Sequence, residues 1–428
     1  MASGNRLAYV QADAIEQGAE KWVLAQCESY PGDAITITQT PAEALQVGAG
    51  YFWILTPNPN SDQQDWFAIT DEAGKLNLNT ATSNELINLP GMDQDSADSI
   101  VNWRSATSSG NGADSPDYNA LSEPYDAKHS KFETVEELML IDNSDHSMVN
   151  SAMLFGLDQN RDGVVTDAER NNPPANNNNN AVSTQDPING FQRGLFNFLT
   201  CYSVEPNTTI NGGPRLNVNS ANSQPLLQYL TTTIGQSRAT AIMARVEPAL
   251  RRARGRPVFT SIGSFYQISG MTSDEFSQVA DKLTTNPAKT LTGMVNVNTA
   301  PAEVLMCLPG VQQSDAEALV AARAGNANPG IGWIFQAVAP TTAVNLTKYI
   351  TARSFFYSAD IVAVSGDGRS FKRVRIVVDA RQAPAKIVYR RDLTSLGWPL
   401  PEEIRTAMKK GQPPPIYNLT GAPSTLGQ

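Results

Sequence analysis

The chain repeats one pattern three times, and this repetition constrains its fold more than any other feature. Each copy begins with an Asn-x-Asn-[Ser/Thr]-Ala run, continues through a leucine-bearing helical turn and a break, and ends in a helix that closes on Arg. The copies cover residues 74–104, 214–245 and 293–323. A repeat of this length is one supersecondary unit that buries its apolar face against its neighbours. The pattern therefore predicts three pairs of short helices joined by tight turns, as in a helix-hairpin-helix.

The charge of the chain bears on what such helix pairs bind. The 428 residues include 32 Lys and Arg against 42 Asp and Glu, a net charge of −10. A protein that follows a phosphate backbone normally carries the opposite balance. The turns at 89–93 and 308–312 also place Asp93 and Gln312 where a phosphate-gripping hairpin has its second glycine. We therefore expect the helix pairs to pack against protein, and no nucleic acid to bind.

The segment 158–169 (DQNRDGVVTDAE) fills every ligand position of an EF-type calcium loop. Gly163 stands at loop position 6, where the sharp turn needs a positive φ, and hard oxygen donors occupy the alternate positions around it. The sequence holds no second loop of this kind to pair with, so we expect one structural calcium ion rather than a sensor. The alternative is an Asp/Asn-rich turn that binds no ion. The expected ligands are Asp158, Asn160, Asp162, Val164, Thr166 and Glu169.

The periodicity changes around the repeats. Residues 6–28 have the spacing of an amphipathic helix, and later runs alternate with period two, as strands do. We expect the last strands to complete the sheet that the first strands begin, which makes the chain α+β with a large helical insertion. The expected strands lie at 34–40, 50–56, 65–70, 358–366, 371–380 and 385–391. The residues after 395 are rich in Pro, Gly and Ser and are expected to form a loose tail.

The long N-terminal helix carries a candidate partner surface. Its apolar face includes Val23, and its polar side carries Glu16 and Glu20. Such a face is more often core than interface, but the first two turns have no obvious cover within the chain. The candidate partner-binding residues are Leu7, Val10, Ala14 and Trp22.

The side chains available for catalysis are few. Cys27, Cys201 and Cys307 have no CxxC spacing, so zinc and thiol-redox sites are unsupported, and the pairing of Cys27 with Cys201 stays open. The two histidines, His129 and His146, lie in polar loop sequence, which argues against a histidine general base. A carboxylate enzyme stays formally open, but no paired acids with supporting residues stand out. We expect a non-enzymatic protein.

Two further segments have open interpretations. The basic run at 251–256 has three interpretations: a solvated loop, a docking patch for an acidic partner, or, in third place, a contact for nucleic acid. The asparagine-rich run at 173–180 reads as a surface excursion. No stretch of about 18 apolar residues predicts a membrane span. The first four residues resemble a cloning scar placed ahead of a helix already in progress.

Several of these motifs together resemble the K-type minor pseudopilins of type II secretion. They are the amphipathic N-terminal helix, the run DEAGKLNLNTA at 71–81, the Leu-Pro-Gly turns, the Asn-x-Asn-Thr-Ala-Pro run at 296–301 and the closing strands near SFFYSADIVAV. The resemblance implies a pilin-like fold, in which a long helix packs on an antiparallel sheet that carries an inserted helical domain with helix-hairpin-helix (SAM-like) repeats. The implied segments are 1–75 for the helix and first strands, 76–348 for the insertion, 349–394 for the closing strands and 395–428 for the tail.

The resemblance also implies a function and a location. K-type members cap the periplasmic pseudopilus together with I- and J-type minor pseudopilins, and secreted substrates are further possible contacts. Members begin with a transmembrane half-helix and a prepilin peptidase site, and this sequence lacks both, as a soluble truncation of an inner-membrane-anchored periplasmic protein would. The third repeat and the complete calcium loop depart from the family pattern. Two alternatives stay open: a minor pilin of a type IV filament, and a helix-hairpin-helix DNA-binding protein of an uptake system.

Overall fold

The structure is a computed structural model, and an antiparallel sheet and a long helix form one part of it. It describes residues 2–58, 64, 66–105, 124–143, 146–147, 151–172, 193–252, 256–324 and 330–417. The expected excursion at 173–180 lies outside the described residues, as does the centre of the basic run at 251–256. The sheet strands are β1 (Leu45–Val47), β2 (Gly50–Leu55), β3 (Thr70–Asp71), β4 (Phe356–Val364), β5 (Phe371–Asp379) and β6 (Lys386–Asp392).

The sheet joins the two ends of the chain, as predicted. Its order is β1-β2-β4-β5-β6, and β3 pairs with β4. The register places Ile361 of β4 opposite Ile54 of β2, although the whole insertion separates the two strands. β4 is buried along its entire length, which requires cover on both faces of the sheet. The prediction of an α+β chain with a discontinuous sheet is confirmed.

The helix Ala2–Ser29 covers one face of the sheet. Ile15, Ala19, Val23 and Cys27 recur every four residues and pack against the sheet residues that include Ile361. The predicted assignment of its two sides was wrong for Glu16, which is fully buried. The Arg390 guanidinium of β6 makes this possible, because its Nη2 lies 2.9 Å from Glu16 Oε1.

The other face of the sheet has a cover that the sequence prediction missed. The expected loose tail contains the helix Glu402–Lys409, and Ile404 and Met408 pack with Trp53 and Val362. The four-residue spacing of these apolar side chains gives the helix one apolar side, and that side is buried. The prediction of a loose tail was therefore wrong for this segment. Residues 418–428 lie outside the described part of the chain.

Two of the expected early strands also differ from the prediction. Residues Ala34–Gln39 form a helix, because the Asp33 side chain caps it by accepting a hydrogen bond from Thr36 N at 3.1 Å. Among the described residues of the region expected at 65–70, the strand is limited to Thr70–Asp71, with one bridge between Phe67 and Leu55. The expected strand at 50–56 is present as β2.

Each copy of the repeat starts with a two-residue strand that pairs in parallel with a strand much later in the chain. The pairs are Leu76–Asn77 with Leu199–Thr200, Leu216–Asn217 with Leu283–Thr284, and Val295–Asn296 with Ile350–Thr351. In every pair the later strand ends on Thr. The repeated unit is therefore longer than the sequence pattern suggested, since each copy needs a closing strand that the pattern did not include.

The two asparagines of each Asn-x-Asn run have distinct tasks. The first accepts a hydrogen bond from the backbone N–H of the second, as Asn77 does from Asn79 at 2.8 Å. The second reaches across the unit: Asn79 exchanges hydrogen bonds with the backbone of Phe132, and Asn219 does the same with Phe259. Short polar side chains compete well for backbone groups in such turns. This explains why the pattern demands Asn at both positions.

Helices occur at both predicted places in every copy. They are Ser83–Leu86 and Gln94–Arg104, Gln224–Ile234 and Gln236–Arg252, and Ala302–Met306 and Gln313–Arg323. The arginines that close the first and third copies bind backbone carbonyls outside their own helices. Arg104 donates to the carbonyls of Leu78 and Ala81, and Arg323 donates to that of Ala300. Each ties the end of its copy back to the beginning.

The insertion has an apolar cluster of its own, which runs from Leu76 to Ile350 and is separate from the clusters on the sheet. The remaining elements of the chain are short. The further helices are Ser151–Phe155, Asp167–Asn171, Ile262–Ser269, Ser273–Val279, Ile334–Ala337 and Pro340–Leu346. Short 3-10 segments lie at Glu72–Gly74, Val135–Leu140, Leu195–Asn197, Ala280–Lys282 and Thr394–Leu396. Val204–Pro206 pairs with Thr290–Thr292, and Asp142–Asn143 with His146–Ser147. The segment bounds at 75/76 and 348/349 stay a prediction.

Candidate calcium loop and assembly surface

The predicted calcium loop is a tight turn with inward-facing oxygens. Asp158 is 5% exposed, and its two carboxylate oxygens accept hydrogen bonds from the backbone N–H groups of Asp162, at 3.0 Å, and Gly163, at 2.9 Å. The Asn160 side-chain oxygen also accepts from Asp162 N, at 3.0 Å. The side chains predicted for loop positions 1, 3 and 5 thus converge on one turn. Val164, the predicted carbonyl donor, follows directly and donates its N–H to Asp162 Oδ1 at 2.9 Å.

The two ends of the loop are closed by Glu169. One of its carboxylate oxygens accepts from Gln159 N at 3.0 Å, and the other accepts from the Thr166 hydroxyl at 2.8 Å. The Thr166 oxygen in turn caps the short helix Asp167–Asn171. The predicted ligand at position 12 therefore closes the loop by accepting a hydrogen bond from position 2.

Two acidic side chains are buried inside this turn. Burial raises the pKa of Asp158 to about 6. Burial together with the charge of Asp158 raises the pKa of Asp162 to about 8. Two carboxyl groups that share a buried site disfavour each other's ionisation, and a divalent cation relieves that repulsion.

The donor chemistry of the loop fits calcium. Carboxylate, amide and carbonyl oxygens are the hard ligands that Ca²⁺ takes. Among the described residues, no group of three or more His, Cys, Asp or Glu side chains is gathered so that it alone holds a metal ion. A complete ligand set here also needs the Asn160 amide, the Val164 carbonyl and a turn of the Glu169 carboxylate away from the Thr166 hydroxyl. Calcium binding by the loop stays a prediction.

The loop is docked on the second face of the sheet through Arg373 of β5. This side chain is fully buried, and its Nε and Nη2 donate to the two carboxylate oxygens of Asp360 at 2.8 and 2.6 Å. Its Nη1 donates to the carbonyl of Asn160 at 2.7 Å, and its Nη2 also donates to that of Arg161. Neither residue of this buried pair was singled out from the sequence, because the pair lies in two strands far along the chain from the loop.

The N-terminal helix has a second apolar stripe that the sheet does not cover. Leu7 is 72% exposed and Val10 56% exposed, and the exposed Ala14 continues the same side of the helix. Trp22 belongs elsewhere: its ring packs edge-on against Phe52 of the sheet, with the centroids 5.7 Å apart. Leu7, Val10 and Ala14 therefore share one exposed side of the helix, while Trp22 lies against the sheet. The partner-binding role of all four residues stays a prediction.

Two segments of the chain match a known family. A family model described as "Type II secretion system (T2SS), protein K" matches residues 70–153, and a second model with the same description matches residues 295–339. These two matches support a K-type minor pseudopilin of type II secretion. Each match begins beside the opening strand of a repeat, the first copy in one case and the third in the other.

One solved structure aligns with most of the chain. A chain of the GspK-GspI-GspJ complex from the type II secretion system of enterotoxigenic Escherichia coli aligns over 92% of this chain and 99% of its own length. The identity is 9% and the TM-score 0.43. No curated protein matches the chain.

The run at 71–75 joins the insertion to the sheet. Asp71 Oδ2 accepts hydrogen bonds from the Asn296 amide at 2.9 Å and the Thr299 hydroxyl at 2.6 Å. Glu72 accepts from Lys75 Nζ at 2.6 Å and from the Ser358 hydroxyl of β4 at 2.6 Å. The role of this run as a joint was not predicted from the sequence.

The two neighbouring acids of this joint are held in opposite ways. Burial raises the pKa of Asp71, in spite of its hydrogen bonds. Burial alone would also raise the pKa of Glu72, but the charges of Lys75 and Arg375 outweigh it and lower that pKa to about 2. Burial lowers the pKa of Lys75, and Arg375 adds to this effect, because two cations share one carboxylate. Glu72 is therefore the fixed negative charge of the joint.

The cysteines and the basic run were further candidates from the sequence. Cys27, Cys201 and Cys307 are free thiols, and burial raises the pKa of Cys27 and of Cys307 to about 12. In the basic run, Arg251 pairs with Glu247 on its own helix, with its side chain 80% exposed. Among the residues that the structure describes, no helix combines the length and apolarity needed to cross a membrane.

Proposed function

We propose that this K-type minor pseudopilin is a non-enzymatic assembly protein that caps the tip of the periplasmic pseudopilus together with I- and J-type minor pseudopilins. The observation that carries the proposal is the uncovered stripe of Leu7, Val10 and Ala14 on a helix whose opposite side packs on the sheet. An apolar stripe of this kind accepts the matching stripe of a second helix. The pilin-like fold of the sheet and long helix belongs to the same proposal.

The test is complex formation with the soluble I- and J-type pseudopilins of the same operon, followed by size-exclusion chromatography with light scattering. We expect a discrete complex with one copy of each chain. The double substitution Leu7→Glu/Val10→Glu should abolish it, while Ile416→Glu, at a 60% exposed residue near the other end of the chain, should leave it intact. A complex that survives the helix substitutions would overturn the assignment of this surface. If the parent chain binds neither partner, the proposed function is wrong.

We further propose that the three helix pairs are helix-hairpin-helix modules that serve packing within the insertion. The arginine contacts support this interpretation, because Arg104 and Arg323 donate hydrogen bonds to backbone carbonyls of their own copies. A gel shift at low salt tests it. The expected result is no shift, and a salt-sensitive shift would favour nucleic-acid binding instead.

Calcium binding by the loop is the third part of the proposal. Asp158, Asn160, Asp162, Thr166 and Glu169 would supply side-chain oxygens, and Val164 its carbonyl. Isothermal titration of the EDTA-treated chain with calcium should give one site that Asp158→Asn removes. Asp167→Asn, in the same segment but outside the predicted ligand set, is the matched control and should bind calcium normally. The absence of binding at millimolar calcium would overturn this part alone.

A further inference from the structure

The sheet and the calcium loop meet at a contact that neither the family nor the loop motif predicts. The guanidinium of Arg373 has two kinds of partner. On one side it forms a two-point ion pair with Asp360, and on the other it donates to the carbonyls of Asn160 and Arg161. The planar fork of Arg suits such a double task, which the single ammonium of Lys cannot reproduce.

The loop is strained where Arg373 holds it. Arg161 has a φ of 60°, in the left-handed region that side-chain-bearing residues rarely adopt. Its carbonyl accepts from Arg373, and its own guanidinium lies over the Phe155 ring, 3.5 Å from the centroid. A strained residue persists only where its surroundings fix it. Here the surroundings are the sheet on one side and the Phe155 ring on the other.

The carbonyls bound by Arg373 point out of the loop, while the side chains of Asn160 and Asp162 take part in the turn inside it. The contact therefore fixes the curvature that directs the predicted ligands inward. The positive charge of Arg373 does not oppose a nearby cation strongly, because Asp360 balances it at hydrogen-bond distance.

We propose that Arg373 is a positioning residue for the calcium loop, so that calcium binding and docking of the loop on the sheet strengthen each other. The proposal rests on calcium binding by the loop, as proposed above. Residues that hold metal ligands in place typically change metal affinity 10- to 100-fold when they are replaced. Since the coupling is reciprocal, calcium tightens the contact between the insertion and the sheet by the same factor.

Two variants of the full chain test the proposal. Asp360→Leu/Arg373→Met removes both members of the buried pair, which proteins often tolerate, whereas Arg373→Lys keeps the charge and loses the fork. Arg375→Met is the matched control. It lies two residues along the same strand and on the same face, but pairs with Glu72 at 3.8 Å instead of with the loop. Calcium titration gives the affinity, and amide hydrogen exchange of the 158–169 segment gives the docking.

We expect both Arg373 variants to weaken calcium binding at least about tenfold and to speed exchange in the loop, and Arg375→Met to do neither. If the parent chain binds calcium and the Arg373 variants bind it equally well, the coupling is wrong and calcium binding stands. If the parent chain binds no calcium, both proposals fall. Should the double variant fail to fold, the result for Arg373→Lys decides.

Discussion

Asp71 accepts a hydrogen bond from the side-chain amide of Asn296 at 2.9 Å, across 225 positions of the sequence. The contact joins the start of the first repeat to the start of the third. Asn296 is fully buried, and the carboxylate it faces also receives the Thr299 hydroxyl and the N–H of Ala73. The first and third copies are thereby fixed to each other beside the sheet.

Replacing Asn296 with Asp should therefore disrupt the joint. The substitution turns a donor into a second buried carboxylate facing Asp71, and we expect a loss of at least about 2 kcal/mol in the free energy of unfolding. Asn217→Asp is the control, since it makes the same change at the equivalent, half-buried position of the second copy. Urea denaturation at neutral pH measures both. Equal losses would mean that the contact with Asp71 carries no special weight.

Glu72→Gln should destabilise the chain in a pH-dependent way. The substitution leaves Lys75 and Arg375 without their shared carboxylate, and breaking such a buried pair costs about 3–5 kcal/mol at neutral pH. The folded state lowers the pKa of Glu72 from 4.5 to about 2. Its contribution is thus complete above about pH 4.5 and is lost as the pH falls through about 2.

The stability difference between Glu72→Gln and the parent chain should accordingly shrink as the pH is lowered from about 5 to about 2.5. Denaturation curves at several pH values measure this difference. Glu402→Gln serves as the control, because that side chain is 69% exposed and its pair with Arg405 is loose at 3.9 Å. A difference that stays constant with pH would show that Glu72 is not ionised in the joint.

These long-range contacts mark the limit of what the sequence could predict. Period-two runs predicted β4, β5 and β6, because successive side chains of a strand point to opposite faces of the sheet. The spacing of the loop at 158–169 likewise singled out its turn. By contrast, the local pattern assigned Glu16 to the exposed side of its helix, because the sequence does not show that Arg390 lies beside it. Likewise, no residue near Arg373 in the sequence indicates the loop whose carbonyls it binds. Pairs of residues that are distant in sequence leave no local pattern.

The C-terminal helix offers a test of a segment that its composition disguised. The residues after 395 are rich in Pro and Gly, yet Ile404 is fully buried against the second face of the sheet. Ile404→Ala should cost about 2–4 kcal/mol by lost burial and a residual cavity. Thr406→Ala, on the exposed side of the same helix, should cost less than about 0.5 kcal/mol. Thermal and urea unfolding measure both, and a small effect at Ile404 would mean that the helix detaches readily.

The loop glycine Gly163 allows backbone strain to be separated from close approach. Its φ is 89°, and a Cβ added there would lie 3.2 Å from the Cα of Pro57 at the end of β2. Gly91 has a similar φ of 70°, but nothing lies within 4 Å of its added Cβ. Gly91→Ala therefore measures the cost of the left-handed conformation alone, about 1–2 kcal/mol.

Gly163→Ala should cost more than Gly91→Ala, because the new methyl group also pushes the loop away from the Pro57 backbone. We expect faster amide exchange across 158–169 in Gly163→Ala and unchanged exchange there in Gly91→Ala. Urea denaturation and hydrogen exchange of the two variants give the comparison. Equal costs and equal exchange would show that the loop moves freely off the end of β2, and the sheet would then not hold the loop at Pro57.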